Sequence, residues 1–194
     1  MTLHPSEVLD FWFEGDLTVR RQKWFEKNDA FDQDCARFIP HIRAARDGRH
    51  DSWAETPTGT PEGAPEGALA LIILMDQLSR NAFRGQAEAF AADPHALAIA
   101  RASVTRGLDM ALTPFQRMFV YLPFEHAENL EDQDTSVRLF EGVRAELGGD
   151  TVDYAHRHRA VIAQFGRFPH RNAILGRAST AAEEAYLAQP GSGF

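Results

Sequence analysis

The sequence is short of cysteine and of long apolar runs, and each shortage excludes a class of protein. Cys35 is the only cysteine among 194 residues, which excludes an intramolecular disulfide and a thiolate metal cluster within one chain. The longest apolar stretch, residues 68–75, ends at Asp76, far short of the roughly 20 residues that a membrane span needs. The first residues form no basic and apolar leader segment. We therefore expect a cytoplasmic protein without membrane contact.

Positive charge is also scarce, since 28 acidic side chains outnumber 20 basic ones and leave a formal net charge of −8. A negative field repels nucleic acid and anionic lipid surfaces, so we predict that neither is a partner. Motifs of nucleotide-binding proteins and of serine hydrolases are missing, because the glycines are scattered. The content of 44% hydrophobic and 25% charged residues is typical of a globular chain. We expect one domain over residues 1–194.

Apolar residues recur at helical spacing in one segment after another, which predicts an all-α fold of about eight or nine helices. The short connections favour antiparallel neighbours, and no clear sequence repeat is visible. Capping motifs at Thr113 and Thr180 mark two helix starts. A stretch rich in Gly and Pro at about 48–67 predicts a surface loop. The predicted helices lie at about 5–14, 17–27, 29–46, 66–83, 94–106, 114–130, 134–147, 151–165 and 181–188.

The helix predicted at 66–83 is apolar on every side, which indicates a buried central helix. Asp76 and Arg80 interrupt this pattern on one face, and their spacing lets the carboxylate meet the guanidinium one turn away. Arg84 continues the same row. The pair is either a structural ion pair, as buried charges require, or an anion clamp in which Asp76 orients Arg80.

Two further helices carry histidine on an apolar stripe. His126 follows Leu122 by four residues, beside Glu125 and just after Pro123, which should kink the helix and open a local cavity. His158 shares a stripe with Tyr154. Such histidines are either satisfied core residues or proton-transfer groups, since imidazole titrates near neutral pH. Their spacing matches no compact metal-binding motif, and we predict no metal site and no cofactor.

A loop between two helices combines cationic side chains with phenylalanine. Gly166 ends one helix and Pro169 prevents its continuation. The guanidinium fork of arginine matches two oxygens of a carboxylate or phosphate, so the loop either binds an anion or caps and bridges neighbouring helices. The candidate ligand-binding residues here are Arg167, His170, Arg171 and Asn172.

In combination, these segments resemble the bacterial family catalogued as domain of unknown function 924. The resemblance rests on Val8 to Phe13, on Asp76 to Asn81, on Tyr121 to Glu128 and on Arg167 to Thr180, and it covers nearly the whole chain. It implies a tetratricopeptide-like α–α superhelix. It implies no established activity, so no catalytic residue is carried over from it.

Three functions are compatible with these residues. The first is a pocket for a small anionic ligand, with Arg80, Arg167 and Arg171 binding the anion and with Glu125, His126 and His158 as candidate proton-transfer residues of an enzyme. The second is a scaffold that binds a peptide or partner protein in a groove. In the third, the polar residues form a network that only fixes the packing.

Overall fold

The computed structural model describes residues 3–17, 20–55 and 63–193, and every regular element in these ranges is helical. The predicted all-α fold is confirmed. Among the described residues, none of the helices combines the length and hydropathy that crossing a lipid bilayer requires. The α-helices are α1 (Pro5–Phe13), α2 (Asp29–Ala36), α3 (Ile39–Arg46), α4 (Ala64–Ile72), α5 (Ser79–Ala82), α6 (Asp93–Thr105), α7 (Pro114–Glu125), α8 (Leu130–Glu141), α9 (Arg144–Leu147), α10 (Gly149–Phe165) and α11 (Ala181–Leu187).

Helix α4 continues into α5 through a π-helical turn at Ile73–Leu78, and this continuous rod forms the centre of the fold. Residues 68–78 are all buried. Helix α4 packs against α1, α6 and α7, and α8 packs between α7 and α10. Three large aromatic side chains, Trp12, Trp24 and Phe119, contact one another beside the rod. The predicted central helix is thus present, and it contains a π-helical turn that the sequence pattern did not predict.

The helix predicted at 17–27 is wrong, because among the described residues of this segment only Gln22–Trp24 forms a helical turn, of the 3-10 type. Residues 18 and 19 lie outside the described ranges. The segment is instead tied across the end of α1 by two side chains. The indole of Trp24 donates to the carbonyl of Trp12 at 3.1 Å, and the guanidinium of Arg21 donates to the carbonyl of Phe13 at 2.6 and 3.0 Å. These side-chain contacts to α1 hold the segment in place, rather than the backbone hydrogen bonds of a helix of its own.

Two of the predicted helices are each divided in two. The segment 29–46 breaks between α2 and α3, since Pro40 has no amide hydrogen to donate to the carbonyl of Ala36. The segment 134–147 starts earlier, at Leu130, and breaks between α8 and α9 around Gly142. The capped starts predicted at Thr113 and Thr180 are confirmed, and each threonine hydroxyl accepts from the third backbone amide of its helix.

Helix α7 ends at Glu125, five residues before its predicted end, because side chains of the next helix close a turn there. The Asn129 side chain accepts from the amides of Glu131 and Asp132 and so starts α8. The buried Gln133 amide donates to the carbonyls of Glu125 at 2.6 Å and of Ala127 at 2.8 Å. This turn holds Glu125 and His126 at the end of α7.

The loop predicted at 48–67 is shorter than expected, and residues 56–62 of it lie outside the described ranges. A 3-10 turn occupies Asp51–Trp53, and α4 already begins at Ala64. Gly67 therefore belongs to the helix rather than to the loop. A Cβ atom at this position would lie 1.9 Å from the carbonyl oxygen of Trp53, so only glycine allows this close approach of two backbones.

Candidate functional site

A cavity of about 460 Å³ lies where the central rod, α7, α10 and the segment after α10 meet. Its volume falls within the range of about 300–1,000 Å³ that is usual for small-molecule sites. Part of its lining, here called the polar wall, consists of the ionisable groups described below, and another part is apolar. Within the described residues, no three His, Cys, Asp or Glu side chains are grouped as ligands of a metal ion.

Asp76 lies behind the polar wall, fully buried in the π-helical turn. Its carboxylate accepts from Gln77 Nε2 at 2.6 Å and from His126 Nδ1 at 2.8 and 2.9 Å, and Arg80 Nη2 lies 3.4 Å away. Burial alone would raise the pKa of Asp76, but the charge of Arg80 and the hydrogen bonds from His126 and Gln77 outweigh burial and lower it. An ionised carboxylate can only accept, so Nδ1 of His126 carries the proton. Nε2 of His126 is then the basic nitrogen.

Arg80 and Arg171 approach one carboxylate, that of Asp93 at the start of α6. Arg80 binds it with two hydrogen bonds, of 2.9 and 3.0 Å, whereas Arg171 Nη1 lies 3.4 Å from Oδ2. Both guanidinium groups also lie over the ring of Phe90, with Cζ of Arg80 at 5.4 Å and Cζ of Arg171 at 4.8 Å from the ring centroid. Burial and the like charge of Arg80 lower the pKa of Arg171 to about 10. Arg171 is thus a buried cation whose charge is only partly balanced by the carboxylate of Asp93.

Glu125 lines the cavity from the last turn of α7, and its side chain is almost fully buried. Burial and the nearby Asp76 raise the pKa of Glu125 to about 8, so this carboxyl group is mainly protonated at neutral pH. Its Oε1 lies 3.4 Å from Nδ1 of His158, which donates to the carbonyl of Tyr154 at 2.9 Å. Burial and the neighbouring His126 lower the pKa of His158 to about 3. A neutral acid therefore lies beside neutral imidazoles.

The segment 166–172 divides its charged side chains between the cavity and the outside. His170 and Arg171 line the cavity, and burial together with Arg171 lowers the pKa of His170 to about 4. Arg167 does not line it and instead binds Glu183 at 2.6 and 2.8 Å. Asn172 is buried and donates to the Ser179 hydroxyl at 3.1 Å.

Most of the candidate residues outside this segment line the same cavity. Arg80, Glu125, His126 and His158 line the cavity, and Asp76 supports His126 from behind. Arg84 also lines it, near the surface, with its guanidinium bound to Asp32 at 2.6 and 2.9 Å. Three distant stretches of chain thus contribute to one site.

Three residues that shape the site were not among the sequence candidates: Phe90, Asp93 and Gln133. Asp93 precedes Pro94, and this dipeptide predicts a helix start rather than a partner for Arg80. Phe90 and Gln133 had no distinguishing signal in the sequence, because their roles depend on the path of the chain. The 3-10 turn at Ala87–Phe90 reverses the chain after α5 and brings both Phe90 and Asp93 to Arg80.

Comparison with known proteins identifies relatives of this chain but no activity. Residues 8–191 match the family described as "Bacterial protein of unknown function (DUF924)". The chain is 38% identical to a solved structure of a protein of unknown function, ATU0120, from Agrobacterium tumefaciens. The match covers 95% of this chain and 96% of that chain, with a TM-score of 0.82. No curated protein matches the sequence.

Proposed function

Because the chain belongs to the DUF924 family of bacterial proteins of unknown function, we propose its function from the cavity itself: the cavity binds a small anionic ligand beside Arg80 and Arg171. The proposal also gives the neighbouring Glu125, His126 and His158 a role in proton transfer to or from that ligand. The protein is thus a ligand-binding protein that carries the groups of an acid–base enzyme.

The observation that carries the proposal is the sign of the charges on the cavity wall. Of the described residues that line it, five are Lys or Arg, whereas the acidic ones are Glu26 and Glu125. Glu125 is mainly protonated at neutral pH. The whole chain has a formal charge of −8, so the cavity is a local exception. A cleft lined by one sign of charge concentrates ligands of the opposite sign. The basic residues are Arg20, Lys27, Arg80, Arg84 and Arg171.

The proton-transfer role follows from the hydrogen bonds of the polar wall. Asp76 fixes the orientation and the tautomer of His126, whose Nε2 is then available as a base. Glu125 is available as an acid, since its raised pKa keeps it protonated up to about pH 8. His158 Nδ1 donates to the Tyr154 carbonyl and lies 3.4 Å from Glu125 Oε1, so His158 helps to position the acid. A base and an acid at neighbouring positions are what a proton-transfer reaction needs.

A thermal-unfolding and calorimetric titration with benzoate, inorganic phosphate and the neutral benzamide tests the binding. We expect an anion to raise the melting temperature, because a ligand that binds only the native state stabilises it, and benzamide to have no effect. Arg171→Gln should weaken anion binding at least tenfold. The control Arg159→Gln removes a surface cation bound to Asp134, with a side chain 40% exposed, and should leave binding unchanged.

Two results would contradict the proposal. If none of the anions shifts the melting temperature at millimolar concentration, the polar wall is a structural network only. If Arg171→Gln lowers the melting temperature but leaves anion affinity unchanged, the anion binds elsewhere and Arg171 serves packing alone.

A further inference from the structure

Part of the cavity lining, here called the apolar wall, consists of apolar side chains, and two of them reach the surface. Trp24, Met118, Leu122 and Phe140 are buried and line the cavity. Phe25 and Tyr154 line it as well, although they are 47% and 45% exposed. They are two of the four large apolar side chains most exposed in the described part of the chain. Exposed apolar groups that continue into a cavity indicate a surface that an apolar ligand would cover.

Helix α7 connects the apolar and polar walls. Met118, Leu122 and Glu125 all line the cavity, at the spacing of one helical face. The seven steps from Met118 to Glu125 correspond to about 10 Å along the axis, since each residue of an α-helix rises about 1.5 Å. A ligand of about this length would contact both walls at once.

The charges at the polar end favour a ligand with one negative charge over a ligand with two. The positive charges of Arg80 and Arg171 face the carboxylates of Asp76 and Asp93 in equal number. Arg171 is the less satisfied cation, because both Asp93 oxygens already bind Arg80 at 2.9 and 3.0 Å. Among the described residues, its buried Nε has no hydrogen-bond partner. One carboxylate beside Arg171 would balance this cation further, whereas a dianion would add a second negative charge near Asp76 and Asp93.

We propose that the ligand is a monocarboxylate with an apolar body, aromatic or acyl, whose carboxylate binds Arg171 while the body lies along α7 toward Phe25 and Tyr154. This inference rests on the proposed function and narrows it to one substrate class. The protonated carboxyl of Glu125 can donate a hydrogen bond to the same carboxylate, because it lies on the polar wall and carries a proton at neutral pH.

The test measures dissociation constants at pH 7 for four probes: 3-phenylpropanoate, acetate, phenyl phosphate and the neutral 3-phenylpropanamide. We expect 3-phenylpropanoate to bind at least tenfold more tightly than each of the other three. Acetate lacks the apolar body, the amide lacks the charge, and phenyl phosphate carries about two negative charges near neutral pH.

Variants of two exposed apolar residues distinguish binding of the proposed ligand class from nonspecific hydrophobic binding. Phe25→Ser should weaken 3-phenylpropanoate at least threefold and leave acetate unchanged, because it removes a contact of the apolar body and leaves Arg80 and Arg171 in place. Met110→Ser removes another exposed apolar side chain, 66% exposed and not part of the cavity lining, and should change neither constant. Circular dichroism checks that both variants keep their helices.

The outcomes distinguish this inference from the function on which it rests. If acetate or phenyl phosphate binds as tightly as 3-phenylpropanoate, and Arg171→Gln weakens them, the cavity binds anions but the inferred ligand class is wrong. If the amide binds as tightly as the carboxylate, the apolar wall alone determines binding and the anion site is wrong. If no probe binds, both proposals fail.

Discussion

The imidazole Nδ1 of His126 lies 2.8 Å from Oδ1 and 2.9 Å from Oδ2 of Asp76, although fifty residues separate the two along the chain. The contact joins the π-helical turn of the central rod to the end of α7. Because Asp76 is fully buried and also lies 3.4 Å from Arg80, one carboxylate holds two cavity-lining side chains in place. The position of the polar wall therefore depends on Asp76.

Asp76→Asn should lower the free energy of unfolding by about 3–5 kcal/mol, the cost of leaving one partner of a buried ion pair without the other. Urea denaturation at pH 7 measures this loss. The control Asp134→Asn removes a carboxylate with a side chain 55% exposed, bound to Arg159, and should change the stability by less than about 0.5 kcal/mol. A loss below about 1 kcal/mol for Asp76→Asn would show that the pair contributes nothing beyond ordinary packing.

Glu125→Gln should remove a decline in stability that runs between about pH 4.5 and pH 8. The pKa of Glu125 is raised from 4.5 to about 8 in the folded protein. Between these values the folded chain holds a proton that the unfolded chain has released. The wild type therefore loses about 1.4 kcal/mol per pH unit from this group as pH rises toward 8. The uncharged glutamine variant lacks this loss. Its free energy of unfolding relative to that of the wild type should therefore increase as the pH rises toward 8.

Denaturation curves between pH 5 and 9 measure this difference. Glu146→Gln, which changes an exposed glutamate, should run parallel to the wild type. Parallel curves for Glu125→Gln as well would mean that Glu125 is ionised in the folded protein at neutral pH.

His158→Asn should make the protein less sensitive to acid. Burial lowers the pKa of His158 from 6.5 to about 3 in the folded state, so between these values only the unfolded chain binds the proton. The stability that this histidine contributes is complete above pH 6.5 and falls by about 1.4 kcal/mol per unit as pH decreases. Asparagine can still donate to the Tyr154 carbonyl but does not titrate.

The slope of stability against pH between 4.5 and 6.5 is the measurement for this variant. This slope should be shallower in His158→Asn by the contribution of one bound proton. The difference in slope should remain even if altered packing lowers the free energy of unfolding of the variant at pH 7. His156→Asn changes a side chain 50% exposed and should keep the slope of the wild type. An unchanged slope in His158→Asn would place the acid sensitivity in other groups.

Gln133→Met should destabilise the fold by about 1–3 kcal/mol, because it leaves buried carbonyl groups without donors while keeping a side chain of similar volume. The carbonyls are those of Glu125 and Ala127. Thermal unfolding measures the loss, and Gln33→Met on the exposed face of α2 is the control. Since the same contacts hold the end of α7, the variant should also bind 3-phenylpropanoate more weakly. Stability equal to that of the control would show that water replaces the amide.

The helical fold could be predicted because its evidence is local. Apolar spacing, proline and capping residues act within a few positions, and they correctly placed the starts at Thr113 and Thr180. The failures had non-local causes. Residues 17–27 carry a helical pattern, but Trp24 and Arg21 bind backbone carbonyls of α1 instead. Side chains that cap another element leave no periodic signal.

The site was less accessible to sequence reasoning than the fold. The pairing of Asp76 with Arg80 followed from their spacing on one helix, and the anomaly of charge in an apolar run pointed to burial. The stronger partners, His126 for Asp76 and Asp93 for Arg80, lie on other elements. Their choice depends on how α6 and α7 pack against the rod, which no local pattern specifies.

The shared carboxylate of Asp93 also bears on the order in which the chain emerges from the ribosome. Arg80 and Asp93 are thirteen residues apart and are synthesised together, whereas Arg171 follows Asp93 by seventy-eight residues. At about 5–20 residues per second, Arg171 arrives several seconds later. The two hydrogen bonds between Arg80 and Asp93 are complete without it, so the nascent chain does not have to bury an unpaired Arg80 while it waits. Arg171 then approaches a carboxylate whose two oxygens can already bind Arg80.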